Sequence, residues 1–342
     1  MLKKKQLAKK SIIIAEVGQN HQGDVRIAEK YIKEFAQLGA NVIKFQTRNN
    51  KSLFSKNAYN KVYNSENAFA ESYGAHRELL ELNIEWLPKI KEECIKNNVA
   101  FMSTPFDEPS LEVLEELDVD IIKIASFDLG NLPFIDKIGA TNKPVVLSVG
   151  GGHSHHIDAS VETLLAHHND IAVLHCVSEY PCEYNRLGLS NIKELIKKFP
   201  ECTIGSSDHF NGILSGPVAY MQGARVFEKH VTLNRAWKGT DHSFALEPNG
   251  FNHFVRDLKR TPQMMNQKPK DDLGKEYVFQ KLGKSIVAYE DMEKDTELNL
   301  KNLSGIIFSE QYIPVRDSYK VLGKKIKESL KKGEPILEEN LY

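Results

Sequence analysis

Ile12-Ile13-Ile14-Ala15-Glu16-Val17-Gly18-Gln19-Asn20-His21 begins as an apolar run and then presents a carboxylate, an amide and an imidazole. The same succession recurs along the chain. Val42-Ile43-Lys44-Phe45 leads to Gln46, Val99-Ala100-Phe101-Met102 to Ser103 and Thr104, and Ile121-Ile122-Lys123-Ile124 to Ser126. Pro144-Val145-Val146-Leu147 leads to Ser148, and Ile171-Ala172-Val173-Leu174 to His175, Ser178 and Tyr180. Thr203-Ile204-Gly205 leads to Ser207, Asp208 and His209, and Arg225-Val226-Phe227-Glu228 to Lys229 and His230. Each run is short and rich in Ile, Val or Leu, as a buried strand is, and the segments between them (27–38, 84–96, 189–198 and 215–222 among them) have amphipathic helical period. Gly39 and Gly223 stand where glycine C-caps would end two of those helices. Strand, reactive residue, helix, in repeated succession, predicts an α/β fold of the (β/α)8 TIM-barrel type, which collects its active site at the C-terminal ends of the strands.

The 342 residues exceed a typical barrel of about 250. A catalytic barrel over residues 1–267, a linker over 268–282 and a small β-rich domain over 283–342 are expected. The polar, proline-containing stretch Gln267-Lys268-Pro269-Lys270-Asp271-Asp272 marks the boundary. Beyond it Ser285-Ile286-Val287-Ala288, the turn-like Lys294-Asp295-Thr296 and the turn Lys331-Lys332-Gly333-Glu334-Pro335 read as short strands and tight turns. One connection, residues 48–83, is too long for an ordinary loop and reads as a lid or substrate loop.

The net charge is −1; no long run of one sign appears apart from Lys3 to Lys5 and Lys9 to Lys10, which read as a solvated terminus. No nucleic-acid surface is expected. No apolar stretch with a cleavage site follows those lysines, and no window reaches a membrane-span length, so a soluble, cytoplasmic protein is expected. Cys94, Cys176, Cys182 and Cys202 lack CxxC spacing, which argues against a zinc or redox cysteine site.

Lys44 and Lys123 both come at strand ends, so their charges converge in one barrel mouth and call for a phosphorylated or carboxylated substrate. Burial without such partners would be costly. Ser103, Thr104, Ser126, Ser178 and Ser207 offer hydroxyl donors to anionic oxygens, although a serine at a strand end also commonly bonds its own backbone. His209 and His230 follow adjacent strands and suit a divalent metal with an open coordination sphere, or else serve as neutral hydrogen-bond partners. Glu16, Asp208 and Asp241 place carboxylates near the same mouth. A salt bridge between Glu16 and one lysine is the plainer alternative to acid-base work. The run Gly150-Gly151-Gly152-His153-Ser154-His155-His156 reads as a tight turn or close backbone approach rather than a second metal site.

Taken together, Ala15-Glu16-Val17-Gly18-Gln19-Asn20-His21-Gln22-Gly23, Ile43-Lys44-Phe45-Gln46-Thr47, Ser103-Thr104-Pro105-Phe106, Lys123-Ile124-Ala125-Ser126, Leu174-His175-Cys176-Val177-Ser178-Glu179-Tyr180-Pro181, Ser207-Asp208-His209, Glu228-Lys229-His230-Val231-Thr232 and Gly239-Thr240-Asp241-His242 resemble the sialic acid synthase family. The tail, with Leu282-Gly283-Lys284-Ser285-Ile286-Val287-Ala288 and Val321-Leu322-Gly323-Lys324-Lys325, resembles the antifreeze-like (SAF) domain that ends these synthases. The resemblance implies condensation of phosphoenolpyruvate (PEP) with an N-acylated hexosamine to a nine-carbon ulosonic acid, by a cytoplasmic homodimer. It implies a PEP cradle of Lys44, Thr104, Lys123, Ser126, Ser178 and Ser207, and a Mn²⁺- or Mg²⁺-type ion on His209 and His230. Sugar contacts are implied for Gln46, Asn67, Asp128, Tyr180 and Asp241, and catalytic roles for Glu16 as general acid/base with Lys44, Lys123 and His230.

The chain departs from the simplest bacterial pattern. Asp128 stands where many members carry Glu, Ser148-Val149-Gly150-Gly151-Gly152 replaces a Ser-Thr-Gly-Met-like turn, and Gly305-Ile306-Ile307-Phe308 replaces an Arg-Pro-containing segment that reaches the partner's site in members using the unphosphorylated sugar. Tyr73-Gly74-Ala75-His76-Arg77 and 232–239 resemble instead the animal-type synthases that take the 6-phosphate, for which Arg77, Arg235 and Lys238 are candidate phosphate contacts. A synthase of the legionaminate or pseudaminate type, a Schiff-base lyase or aldolase and a non-catalytic binding protein remain rival expectations.

Overall fold

The structure, a computed structural model, describes residue 2, residues 10–267 and residues 269–342. The lysines at 3–5 and 9, and Lys268 at the expected boundary, lie outside the described residues. Eight parallel strands, β1 (Ile12–Gly18), β2 (Val42–Thr47), β3 (Ala100–Pro105), β4 (Ile121–Ile124), β5 (Val145–Ser148), β6 (Ile171–Cys176), β7 (Thr203–Asp208) and β8 (Val226–His230), pair in sequence order and close on themselves. The chain is therefore a (β/α)8 TIM barrel, as its apolar runs imply. β3 and β8 extend past those runs, to Pro105 and His230. Ser103, Thr104, Lys229 and His230 thus belong to the strands, because backbone pairing does not require apolar side chains where alternate residues face a polar mouth.

The two-residue period of the strands sorts their side chains. Ile12, Ile14, Val42, Met102, Ile121, Val146, Ala172, Leu174 and Val226 fill the barrel interior, joined by Leu2. Their alternates, such as Ile13, Ile43, Phe101, Ile122, Val145 and Val173, pack outward against the helices. One step further along each strand the inward residue becomes polar or ionisable in most strands: Glu16, Lys44, Thr104, Lys123, Ser148, Ser207 and Glu228. An apolar floor thereby carries a polar layer, and that layer is the base of the site.

The helices follow the expected pattern. Helix Val25–Gln37 is capped by Asp24, whose side chain accepts from the Arg26 amide, and buries Ala28, Tyr31, Ile32 and Phe35 on one stripe. Gly39 and Gly223 end their helices with φ of 99° and 109°, in the left-handed region that glycine enters freely. The long connection after β2 is not structureless: it holds helices Asn50–Leu53, Lys56–Tyr59 and Tyr73–Leu80.

The chain divides into two compact units, Met1–Met265 and Asn266–Tyr342. In the second, β9 (Ser285–Ala288) and β10 (Leu303–Ile306) pair antiparallel around a small core containing Ile286, Met292, Leu298, Val321, Ile326 and Ile336. The stretch read as linker contains helix Tyr277–Leu282. Among the described residues no helix is long and apolar enough to cross a membrane.

Candidate active site

A cavity of about 290 Å³ opens at the C-terminal ends of the barrel strands, with Glu16, Lys44, Thr104, Lys123, Ser148, Ser207 and Glu228 in its wall. Strand register puts Glu16 level with Lys44 on one side and with His230 on the other. The Lys44 ammonium lies 2.7 Å from Glu16 Oε2 and 3.5 Å from Glu228 Oε1. Gln46 Nε2 donates to Glu16 Oε1 at 2.8 Å. Ser207 Oγ donates to Glu228 Oε1 at 3.2 Å, and Lys44 Nζ to Thr104 Oγ1 at 3.4 Å.

These buried charges settle into unequal states. Burial raises the Glu16 carboxyl to about 7, with Lys44 opposing and Glu228 reinforcing the rise. Burial would raise Glu228 too, but Lys123 and Lys44 together outweigh it and hold Glu228 down at about 2. Lys44, despite burial, is raised by the two carboxylates beside it. Lys123 is lowered, chiefly by burial, with only partial compensation from Glu228. Two carboxyls a few ångströms apart thus divide into one fixed anion and one group that exchanges protons near neutrality, the pattern that separates acid-base residues from purely electrostatic ones.

Beside Lys123 the wall is made of hydroxyls and bare backbone. The Gly150 amide donates to Ser126 Oγ at 3.0 Å. A Cβ at Gly150 would fall 2.4 Å from Ser178 Oγ, 2.9 Å from Ser126 Oγ and 3.2 Å from Cys176 Sγ. Ser148 and Ser178 keep their hydroxyls buried without a hydrogen-bond partner. Buried hydroxyls are rarely left so, and these two are available as donors to an anionic oxygen.

His209 and His230 approach with ring centroids 5.2 Å apart. His209 Nδ1 sits 2.9 Å from the Val177 carbonyl. That oxygen can only accept, so Nδ1 carries the proton and Nε2 presents its lone pair. His230 Nδ1 is buried with no hydrogen-bond partner, 4.0 Å from Asp241 Oδ2. Burial lowers both imidazoles, His209 to about 4. Neutral rings with available lone pairs fit a divalent cation that draws its remaining ligands from water and substrate. Among the described residues no group of three or more His, Cys, Asp or Glu side chains gathers as a self-sufficient metal site, and the triplet His153, His155 and His156 makes none.

Arg48 and Arg77 enter from the long connection after β2. Arg48 pairs with Glu81 at 3.0 Å and lies over the Phe106 ring. Arg77 Nη1 donates to Gln19 Oε1 at 2.7 Å, while its Nε is buried and unpartnered. Gln19 in turn donates to Thr240 Oγ1 at 3.2 Å. Tyr73, Tyr180, Thr240 and Asp241 line the same cavity.

Of the residues singled out in the sequence, the cavity brings together Glu16, Lys44, Gln46, Thr104, Lys123, Ser126, Tyr180, Ser207, His209, His230 and Asp241. Ser178 stands just behind that surface, facing Gly150. Asn67 and Asp128 are not in its wall. Asn67 Oδ1 is committed to the Gly239 amide at 3.0 Å, and Asp128 to Asn131 at 3.1 Å. Ser103 bonds Thr47 on the outward side, and Asn20 and His21 build the turn after β1 by bonding the Val231 carbonyl and the Gly23 amide. Of the candidate phosphate contacts only Arg77 reaches the cavity. Arg235 bonds the Ser243 carbonyl, and Lys238 lies over Phe69. Glu228, Arg48, Gln19 and Thr240 line the site without having drawn a role from the sequence; for Glu228 the two-residue period counted from Val226 would have supplied the signal.

Barrel and site together define a TIM-barrel protein whose mouth carries two lysines, a set of hydroxyls and an imidazole pair. Residues 31–270 match the model of the NeuB family, and the chain belongs to that family, the sialic and nonulosonic acid synthases. An N-acetylneuraminate-9-phosphate synthase of Drosophila melanogaster is 33% identical, over 95% of this chain and 94% of the relative. An N,N'-diacetyllegionaminic acid synthase of Campylobacter jejuni is 34% identical, over 86% of this chain and 90% of the relative. The crystal structure of N-acetylneuraminic acid (sialic acid) synthetase from Leptospira borgpetersenii serovar Hardjo-bovis, in complex with citrate, aligns with a TM-score of 0.70 at 31% identity, covering 78% of this chain and 90% of that one.

Proposed function

We propose that this chain is a transferase that condenses PEP with N-acetylmannosamine or its 6-phosphate, giving N-acetylneuraminate or its 9-phosphate and inorganic phosphate. The observation that carries this reading is that Lys44 and Lys123 share one cavity wall with the unpartnered hydroxyl of Ser148, with that of Ser178 just behind it at Gly150. A dianionic enol phosphate would answer both needs, ion-pairing with the lysines and accepting from Thr104, Ser126, Ser148, Ser178 and Ser207. Membership of the family and the identity to a 9-phosphate synthase support the acceptor class.

In the proposed reaction carbon 3 of PEP attacks the aldehyde carbon of the open-chain sugar, and the carbonyl oxygen takes a proton. Glu16, raised to about 7, is the donor. Positive character then develops at carbon 2, where Glu228, held ionised, stabilises it electrostatically. Water adds to carbon 2 and yields one proton to the Glu16 carboxylate. The remaining hydroxyl passes its proton to the departing phosphate as the carbonyl forms at carbon 2 and the bond from carbon 2 to the bridging oxygen breaks, so that phosphate leaves with that oxygen. Gln46 orients Glu16, and Tyr180, Asp241 and Arg77 face the acceptor. His209 and His230 would hold a Mn²⁺- or Mg²⁺-type ion, whose chemistry when bound is Lewis-acid polarisation of the aldehyde. The same reading takes the C-terminal unit as an SAF domain and the protein as a cytoplasmic homodimer.

The test is phosphate release from PEP with N-acetylmannosamine, its 6-phosphate and the diamino-trideoxy hexoses compared. Release with either of the first two supports the proposal, release only with the diamino sugars moves it to the legionaminate or pseudaminate type, and no release with any of them sinks it. One observation favours a second reading: the amine of Lys123, lowered by burial, is what a Schiff-base lyase needs. Borohydride trapping of pyruvate on Lys123 would establish that reading in place of the condensation.

A further inference from the structure

Behind the imidazole pair lies a buried ion pair that the proposed chemistry does not use. Asp208 and Lys229 are register partners on β7 and β8. Each immediately precedes one of the two histidines in the chain. The strand alternation that turns Ser207, Glu228 and His230 into the mouth turns Asp208 and Lys229 away from it. Neither lines the cavity, and Lys229 is 1% and Asp208 5% exposed.

The Lys229 ammonium bonds both Asp208 Oδ1 and the carbonyl of Phe210. Asp208 Oδ1 also accepts from the Phe210 amide at 3.0 Å, and the ammonium lies 5.6 Å from the centroid of the Phe210 ring. The residues on both sides of His209 are therefore fastened to the strand residue that precedes His230. Val177 holds the His209 ring from the other side, through Nδ1. Buried ion pairs are poor sources of stability, since apolar residues of similar volume do as well or better. Such a pair is better suited to fixing a geometry.

We infer that Asp208 and Lys229 are positioning residues that set the spacing and aim of His209 and His230 and thereby the affinity of the imidazole pair for a divalent cation. This rests on the reading that the two histidines bind such an ion. Groups outside the ligand set that orient the ligands typically change metal affinity roughly 10- to 100-fold when removed.

The experiment is direct measurement of Mn²⁺ binding to the full chain by equilibrium dialysis, with melting curves recorded alongside. Asp208→Asn and Lys229→Met should each weaken Mn²⁺ binding roughly 10- to 100-fold while leaving the KM for PEP unchanged. Lys229→Arg, which keeps the charge and can reach both acceptors, should recover most of the affinity. Single variants that melt earlier yet bind Mn²⁺ as the unaltered chain does would overturn the inference, because the pair would then be structural only. Should a single variant fail to fold, Asp208→Asn with Lys229→Met, which leaves no lone buried charge, decides the matter by the same reading. Absence of divalent-cation binding in the unaltered chain would overturn the histidine reading itself, an outcome distinct from equal binding by chain and variants.

Discussion

Glu16 Oε2 lies 2.7 Å from the Lys44 ammonium, yet the carboxyl is raised to about 7 because burial and the neighbouring Glu228 outweigh that contact. Its sign fixes a pH dependence. Protonated Glu16 is the proposed donor to the aldehyde oxygen, so log kcat/KM should be level below about 7 and fall above it. Glu16→Gln should lose turnover and that limb together. The same shift acts on stability: a carboxyl higher in the folded than in the unfolded chain contributes stability at low pH that is lost as pH rises from about 4.5 to about 7. Melting of Glu16→Gln should accordingly vary less across that interval than melting of the unaltered chain, and equal variation would count against the shift.

Gly150→Ala places a methyl 2.4 Å from Ser178 Oγ and 2.9 Å from Ser126 Oγ. Both hydroxyls are assigned to PEP, so its KM should rise by about tenfold, the scale of one hydrogen bond to a charged group. Steady-state kinetics with PEP varied at saturating acceptor measures this. An unchanged KM would remove the hydroxyls from the cradle.

The strands were legible because those of a parallel barrel, covered on both faces, read as continuous apolar runs. Their C-terminal ends were not, since Thr104 and His230 keep the backbone ladder while carrying polar side chains. Lys44, Lys123 and the two histidines could be placed at one mouth from order alone. Arg77 was legible only through the resemblance of residues 73–77, and Arg48 had no signal: the connection after β2 has no period that says which of its side chains turn back to the barrel. Asn67 and Asp128 came from the family resemblance, which cannot reveal that neither lines the cavity and that each accepts a hydrogen bond elsewhere, from Gly239 and Asn131.

Arg77, with a buried unpartnered Nε, faces the proposed acceptor end of the cavity. Arg77→Gln should raise the acceptor KM by about tenfold and leave the KM for PEP alone. If the acceptor is phosphorylated, the rise should be larger for the 6-phosphate than for the free sugar. A change confined to PEP would reverse the assignment of the two ends.

Chelation should abolish turnover, and added Mn²⁺ or Mg²⁺ should restore it in the unaltered chain but not in His209→Ala or His230→Ala. Full activity after exhaustive chelation would remove the ion from the proposal and leave the histidines as hydrogen-bond partners.

Carbon–oxygen cleavage of an enol phosphate gripped by Lys44 and Lys123 is tested most directly by following the bridging oxygen of PEP. With ¹⁸O at the enol position and N-acetylmannosamine or its 6-phosphate as acceptor, condensation at this site places the label in inorganic phosphate. Label retained in the carbon product would mean phosphorus–oxygen cleavage, and would contradict it.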